Sequence, residues 1–232
     1  YEICACLVGS EMCIRDRLVT KRFDIAKEVL QTLVRDIKFG LVPNGYSGFD
    51  NRPLYNSVDA SLLLFEQIQK YVEYTEDYEF VKENLYEKLK DVIENYKNGI
   101  DVDDNNIYLD TDYLIVSGTQ NTQNTWMDAK CNNKAVTPRN GKAVEINSLW
   151  YNANIIMADL ENKIGNKNDA KKYQELARKC KKAFNEKFYN KKRKCLYDVI
   201  GDAKIRPNQL FSMSLTYQVI DTNSEAVSYT HL

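Results

Sequence analysis

At 232 residues, with 32 Lys and Arg against 33 Asp and Glu, the chain is long enough for a sizeable core and close to neutral, which excludes the basic footprint of a nucleic-acid or anionic-membrane binder. None of its six cysteines stands in CxxC spacing, which leaves no zinc site, and its single histidine, His231, lies in a C-terminal tail that reads as foreign, so no His-based triad is expected. No apolar run approaches the roughly 20 residues that span a bilayer.

The two ends read differently from the middle. "CLVGSEMCIRDR" (Cys6 to Arg17) and "AVSYTHL" (Ala226 to Leu232) resemble translated sequencing-adapter read-through, and residues 1–17 and 226–232 are set aside as non-native. That removes Glu2, Glu11, Asp16, Arg15 and Arg17 and leaves the remainder, 18–225, neutral. It also removes the only histidine, His231, and Cys4, Cys6 and Cys13. Cys131, Cys180 and Cys195 remain, odd in number and fitting a reducing, cytoplasmic compartment. The genuine segment is expected to be an internal piece of a longer protein.

In chain order, helical periodicity predicts helices over Lys21–Lys38, Asn56–Tyr74, Asp77–Asn98, Lys142–Lys163, Lys167–Tyr189 and Pro207–Val219. The alternating "IYLDTDYLIV" over Ile107–Val116 reads as a strand-like interlude, and "CLYDVI" over Cys195–Ile200 as a second short strand. The helices starting near 21, 77 and 167 are amphipathic and rich in Lys and Glu, as outward-facing helices should be. Those starting near 56, 142 and 207 are poorer in charge, and each opens on a polar cluster: "YNSVDAS", "GKAVEINSLWYN" and "RPNQLFS". Alternating outer and inner helices, with the clusters at one end of the inner ones, describe an all-α toroid whose functional groups line one mouth. No repeat of fixed period supports a solenoid.

Four motifs, in order, carry a specific resemblance: "LVPNGYSGFDNRPLYNSVDASLLLFE", "TWMDAK", "AVTPRNGKAVEINSLWYNA" and "IRPNQLFSMSL". Together they resemble the amylo-α-1,6-glucosidase domain of bacterial and archaeal glycogen debranching enzymes, over about residues 21–215. The resemblance implies a six-hairpin glycosidase, an (α/α)6 toroid that here would be incomplete. It also implies hydrolysis of α-1,6-linked glucose at branch points of glycogen or another branched α-glucan, with inversion, and neither metal nor cofactor. A glucoamylase-like or trehalase-like enzyme on the same fold, and a non-catalytic helical carbohydrate-binding scaffold, are the alternatives.

Inverting hydrolysis needs a protonated carboxylic acid at the glycosidic oxygen and a carboxylate that activates water, roughly 6.5 to 9.5 Å apart. Asp128 in "TWMDAK" matches the family's general acid; otherwise it caps a helix or turn. An acid that keeps its proton needs desolvation, for which Trp126 is the expected apolar wall, with Lys130 pointing elsewhere. Asp59 is matched to glucose hydroxyls, or else is an acid that complements a helix N-terminus. Tyr55 and Asn56 are neighbouring sugar contacts or loop packing. Glu145, on an otherwise apolar helix, orients the substrate, pairs with Arg139 or Arg206, or, as the least favoured of the three readings, serves as catalytic base. Arg139 is a forked donor to sugar hydroxyls or buried carboxylates, and buried pairing is the stronger reading for Arg206. Asn208 and Gln209 face the mouth or cap a helix. Trp126 and Trp150 stack on sugar or fill core, with core favoured for Trp150. The family's catalytic base lies C-terminal to "RPNQ", so the polypeptide is expected to lack it and to be inactive alone.

Other features carry less weight. "DVDDNNIYLDTD" (Asp101–Asp112) places Asn106 and Asp112 where a calcium loop needs Gly and Glu. "NKKRKC" (Asn190–Cys195) is a solvated turn. Cys131 adjoins the proposed site with no histidine to activate it.

Overall fold

The computed structural model describes residues 14–47, 50, 52–132, 134–202 and 204–221. The chain is mostly helical. Helices α1 (Phe23–Arg35), α2 (Ala60–Thr75), α3 (Tyr78–Asn84), α4 (Tyr86–Asn98), α5 (Val144–Ile164), α6 (Lys167–Lys187) and α7 (Phe211–Ser214) are joined by loops. The loops carry four two-stranded antiparallel hairpins: β1 (Gly45–Tyr46) with β2 (Pro53–Leu54), β3 (Tyr108–Leu109) with β4 (Ile115–Val116), β5 (Lys130–Cys131) with β6 (Lys134–Ala135), and β7 (Tyr189–Asn190) with β8 (Cys195–Leu196).

Burial separates the helices as their charge does. From Val144 to Glu161, α5 leaves only Tyr151, Ile155 and Asp159 partly exposed, and α2 is buried on nearly every side as far as Val72. Helices α1, α4 and α6 bury single stripes instead: Ala26, Val29, Leu30 and Val34; Leu89, Val92, Ile93 and Tyr96; Ala177, Cys180 and Phe184. A lysine-rich helix places its apolar stripe inward and its ammonium groups in water. Helices α5 and α6 form a tight hairpin through Gly165 and Asn166, with Asn166 Oδ1 accepting from Asn168 N at 2.8 Å as the cap of α6. A side chain at Gly165 would force its neighbours to shift: a Cβ there would collide with the Glu161 carboxylate and lie 2.6 Å from the Tyr86 hydroxyl.

Several elements differ from the sequence expectation, each for a local reason. Helix α2 starts at Ala60 rather than Asn56, because Val58 N donates to Asn124 O (2.7 Å) and Ser57 Oγ takes the Ala60 N–H (3.2 Å). The 77–98 helix is broken at Leu85, where φ is −120° and the side chain is buried. The 107–116 strand is a hairpin, turned by Tyr113 at φ 66°. The predicted Pro207–Val219 helix is a 3-10 turn at Pro207–Leu210 followed by α7, and it ends where Leu215 becomes extended. There the buried side chains of Glu66 and Asn152 take the backbone donors of Thr216 (3.3 Å) and Tyr217 (3.0 Å), which a continuing helix would need.

Of the residues set aside as foreign, 1–13 and 226–232 lie outside the described residues. Residues 14–19 are helical; Ile14 is buried, and Arg15 Nη2 comes within 4.0 Å of Glu66 Oε1. Asp110 and Asp112 of the calcium-like stretch accept from Lys142 Nζ at 2.6 Å each. Cys180 and Cys195 are buried free thiols, and Cys131 is an exposed one. Among the described residues, no helix is long and apolar enough to cross a membrane.

Candidate functional site

Three loops and the first turn of α5 meet over the N-terminus of α2. Backbone and amide bonds clamp them: Asn105 Nδ2 donates to Tyr55 O (2.5 Å), Asn124 Nδ2 to Asn105 O (3.0 Å), and Tyr96 Oη to Val58 O (2.7 Å). Val144 N donates to Asp198 O (3.0 Å), which fixes the segment after β8 to the start of α5.

At this meeting point lies one continuous polar network. Asp59, 7 % exposed, accepts from Ser57 Oγ on Oδ1 and from the Trp126 backbone N–H on Oδ2 at 2.8 Å. The Trp126 indole N–H donates to Asn208 Oδ1 (2.9 Å), and Asn208 Nδ2 donates to Asp198 Oδ1 (2.7 Å). Asp198 also takes Arg139 through Nε (2.7 Å) and Nη2 (3.0 Å), and Arg206 Nη1 (2.5 Å). The other edge of the Arg139 fork holds both Glu145 oxygens, with Nη2 to Oε2 at 2.6 Å, and Nη1 reaches Thr125 Oγ1 (3.2 Å). Polar groups from all four resembling motifs are thus bonded to one another.

The electrostatics follow from burial and pairing. Burial opposes the Arg139 charge, but the Glu145 and Asp198 carboxylates outweigh it and hold the guanidinium above its ordinary range. Burial pushes the Glu145 carboxyl upward, against the Arg139 fork. It also pushes Asp59 upward, opposed by its bonds from Ser57 and Trp126.

The remaining sequence candidates are placed unevenly. Asp128 is exposed, two residues beyond Trp126 and just before β5. The desolvation expected for it is absent: Trp126 is itself 50 % exposed, and its indole N–H is turned to Asn208 rather than laid against Asp128. Lys130 is exposed on β5. Tyr55 is buried with its hydroxyl donated to Asp36 O (2.9 Å), a loop-packing contact. Asn56 is exposed. Gln209 is buried and ties Leu196 N (3.3 Å) to Arg206 O (3.4 Å). Glu145 is in the arginine pair, and Arg206 bonds Asp198 and Asp202. Trp150 is core, stacked on Tyr96 at 6.1 Å and 12°.

Asp198 is the residue that sequence reasoning passed over. Its signal was present: it is the lone charge in "CLYDVI", and a carboxylate inside an apolar strand needs a cationic partner. Arg139 and Arg206, already read as able to pair with buried carboxylates, were the available partners.

The family model of amylo-α-1,6-glucosidase matches residues 16–230. The chain belongs to the amylo-α-1,6-glucosidase family. Among curated proteins, the glycogen debranching enzyme of Saccharomyces cerevisiae is 25 % identical in a 197-residue alignment that covers 63 % of this chain and 13 % of the yeast protein. The chain therefore matches only a small part of that relative's length. Among solved structures, a rhamnosidase from Klebsiella oxytoca with rhamnose bound superposes with a TM-score of 0.65 at 11 % identity, covering 86 % of this chain and 36 % of that one. An α-L-rhamnosidase from Dictyoglumus thermophilum gives 0.59 at 17 % identity, over 93 % of this chain and 23 % of that one. At such identities the likeness is one of fold, that of helical glycosidases.

Proposed function

We propose that residues 18–225 are part of one (α/α)6 glucosidase domain, and that the full-length parent hydrolyses α-1,6-glucosidic branch points of glycogen or a similar glucan with inversion. The observation that carries this reading is the bonding of all four motifs of an amylo-α-1,6-glucosidase into one network beneath an exposed carboxyl. Asp128 is the general acid. Beside it, the half-exposed Trp126 offers an apolar face to a sugar ring. A docked glucan, covering both, supplies the desolvation that holds the proton where it is needed.

The other carboxylates of the site are engaged. Both oxygens of Asp59 accept hydrogen bonds, and Glu145 and Asp198 are held in the Arg139 fork. Glu145 and Arg139 therefore act on substrate by shaping the floor of the site, while Asp59 holds the Trp126 backbone. None of the three carboxylates Asp59, Glu145 and Asp198 is free to activate water, so the catalytic base is assigned outside this network, and the chain alone is expected to be inactive. The test compares the parent enzyme on limit dextrin, maltose and trehalose. Release of glucose from limit dextrin, with inversion, supports the reading; preference for maltose or trehalose moves the parent to another glycosidase class, and binding without turnover makes it a scaffold.

A further inference from the structure

We propose that Asp198 is a positioning residue: through Asn208 it sets the orientation of the Trp126 indole, and with it the loop that bears Asp128. The importance of that loop for turnover rests on the function proposed above; the orientation itself does not.

The argument starts from donor and acceptor inventory. A carboxylate only accepts, an indole N–H only donates, and a carboxamide does one on each side. Asn208 stands between the two. Because Asp198 Oδ1 takes Asn208 Nδ2 at 2.7 Å, the carbonyl side must face the other way, where it receives the Trp126 indole at 2.9 Å. Flipping the amide would set oxygen against carboxylate and NH2 against indole N–H, two repulsive contacts. Asp198 is fixed in turn, by Arg139 and Arg206 on its side chain and by Val144 N on its carbonyl. Trp126 is therefore held at two points, its main chain by Asp59 (2.8 Å) and its side chain by the Asp198–Asn208 relay. Asp128 follows two residues later, within about 7 Å of chain, and is exposed. Its place is set by the anchored residue before it.

The test reads the indole directly. The chain has two tryptophans, so an amide correlation spectrum carries two indole N–H signals, assigned with Trp126→Phe. Trp150, buried against Tyr96, is the internal reference. Asp198→Asn frees the Asn208 amide to flip. It should shift the Trp126 signal and raise collisional quenching of Trp126, at most doubling it from the present 50 % exposure, while Trp150 stays put. Asn208→Ala should do the same, and the double variant no more than either single, because both cut one relay. A Trp126 signal unmoved by Asp198→Asn, or effects that add, would overturn the proposal.

Should Asp198→Asn fail to fold, Asn208→Leu decides. It keeps Asp198 and both arginines but removes the acceptor of the Trp126 indole N–H at similar side-chain size, so the indole signal must shift; an indole left unmoved would sink the idea. In the parent enzyme, Asp198→Asn should lower kcat on branched glucan by up to about 100-fold, the scale of a misplaced catalytic group, with little change in KM. A parent that lacks debranching activity altogether would remove the functional reading and leave the indole result standing.

Discussion

Replacing Arg139 by Met probes the centre of the site and can be measured on this chain. The guanidinium side chain is fully buried and bonds Glu145, Asp198 and Thr125. After the substitution, Asp198 keeps Arg206 and Asn208, but Glu145, about 1 % exposed, loses the one ion-pair partner it has among the described residues. Breaking one buried pair and stranding its partner costs about 3–5 kcal/mol. For a domain of this size each kcal/mol moves Tm by about 2–4 °C, so the expected drop is about 6–20 °C by circular dichroism, with a matching fall in the urea midpoint. The deficit should depend on pH in one direction. Without Arg139 the buried Glu145 has a folded pKa above its unfolded value. The protonated form therefore folds best, and stability is lost as pH rises through the folded pKa. The gap between wild type and variant should be smallest near pH 4 and grow towards neutrality. Arg139→Met combined with Glu145→Leu should recover part of the loss, since no orphan charge remains. A loss under about 1 kcal/mol, the range of an exposed pair, with no pH dependence, would refute the reasoning.

Asp59→Asn keeps the side-chain shape and removes a carboxyl whose pKa burial raises. The wild-type group favours folding below its unfolded pKa and loses that contribution as pH rises through the folded one, so denaturant titrations should find the variant gaining on wild type as pH rises above about 4. In the parent, Asp128→Asn should lower kcat on glucan by about 10² to 10⁴, and activity should largely return with a glucosyl fluoride, whose leaving group needs no proton; equal losses on both substrates would remove the acid assignment. Gly165→Ala drives a methyl into Glu161 and Tyr86, and calorimetry should find about 1–3 kcal/mol of destabilisation.

The helical class and the division into charge-rich and charge-poor helices were legible from the chain itself, because burial imposes a stripe on α1, α4 and α6 and strips charge from α2 and α5. The motifs marked where the polar network forms, since Asp, Glu, Arg and Asn clustered at the entrances of apolar helices are costly unless they are paired or functional. Pairing itself was not legible. That Arg139 would take both Glu145 and Asp198, with Asp198 59 residues further along the chain, depends on how the segment after β8 lies over the start of α5. Helix ends were equally non-local. The Pro207 helix stops because Glu66, 150 residues away, claims the Thr216 N–H. Sequence patterning fixes which faces are buried. Only the folded chain decides which of several possible partners a buried donor or acceptor meets, because that choice is made by distance and orientation, and neither is encoded within any one segment.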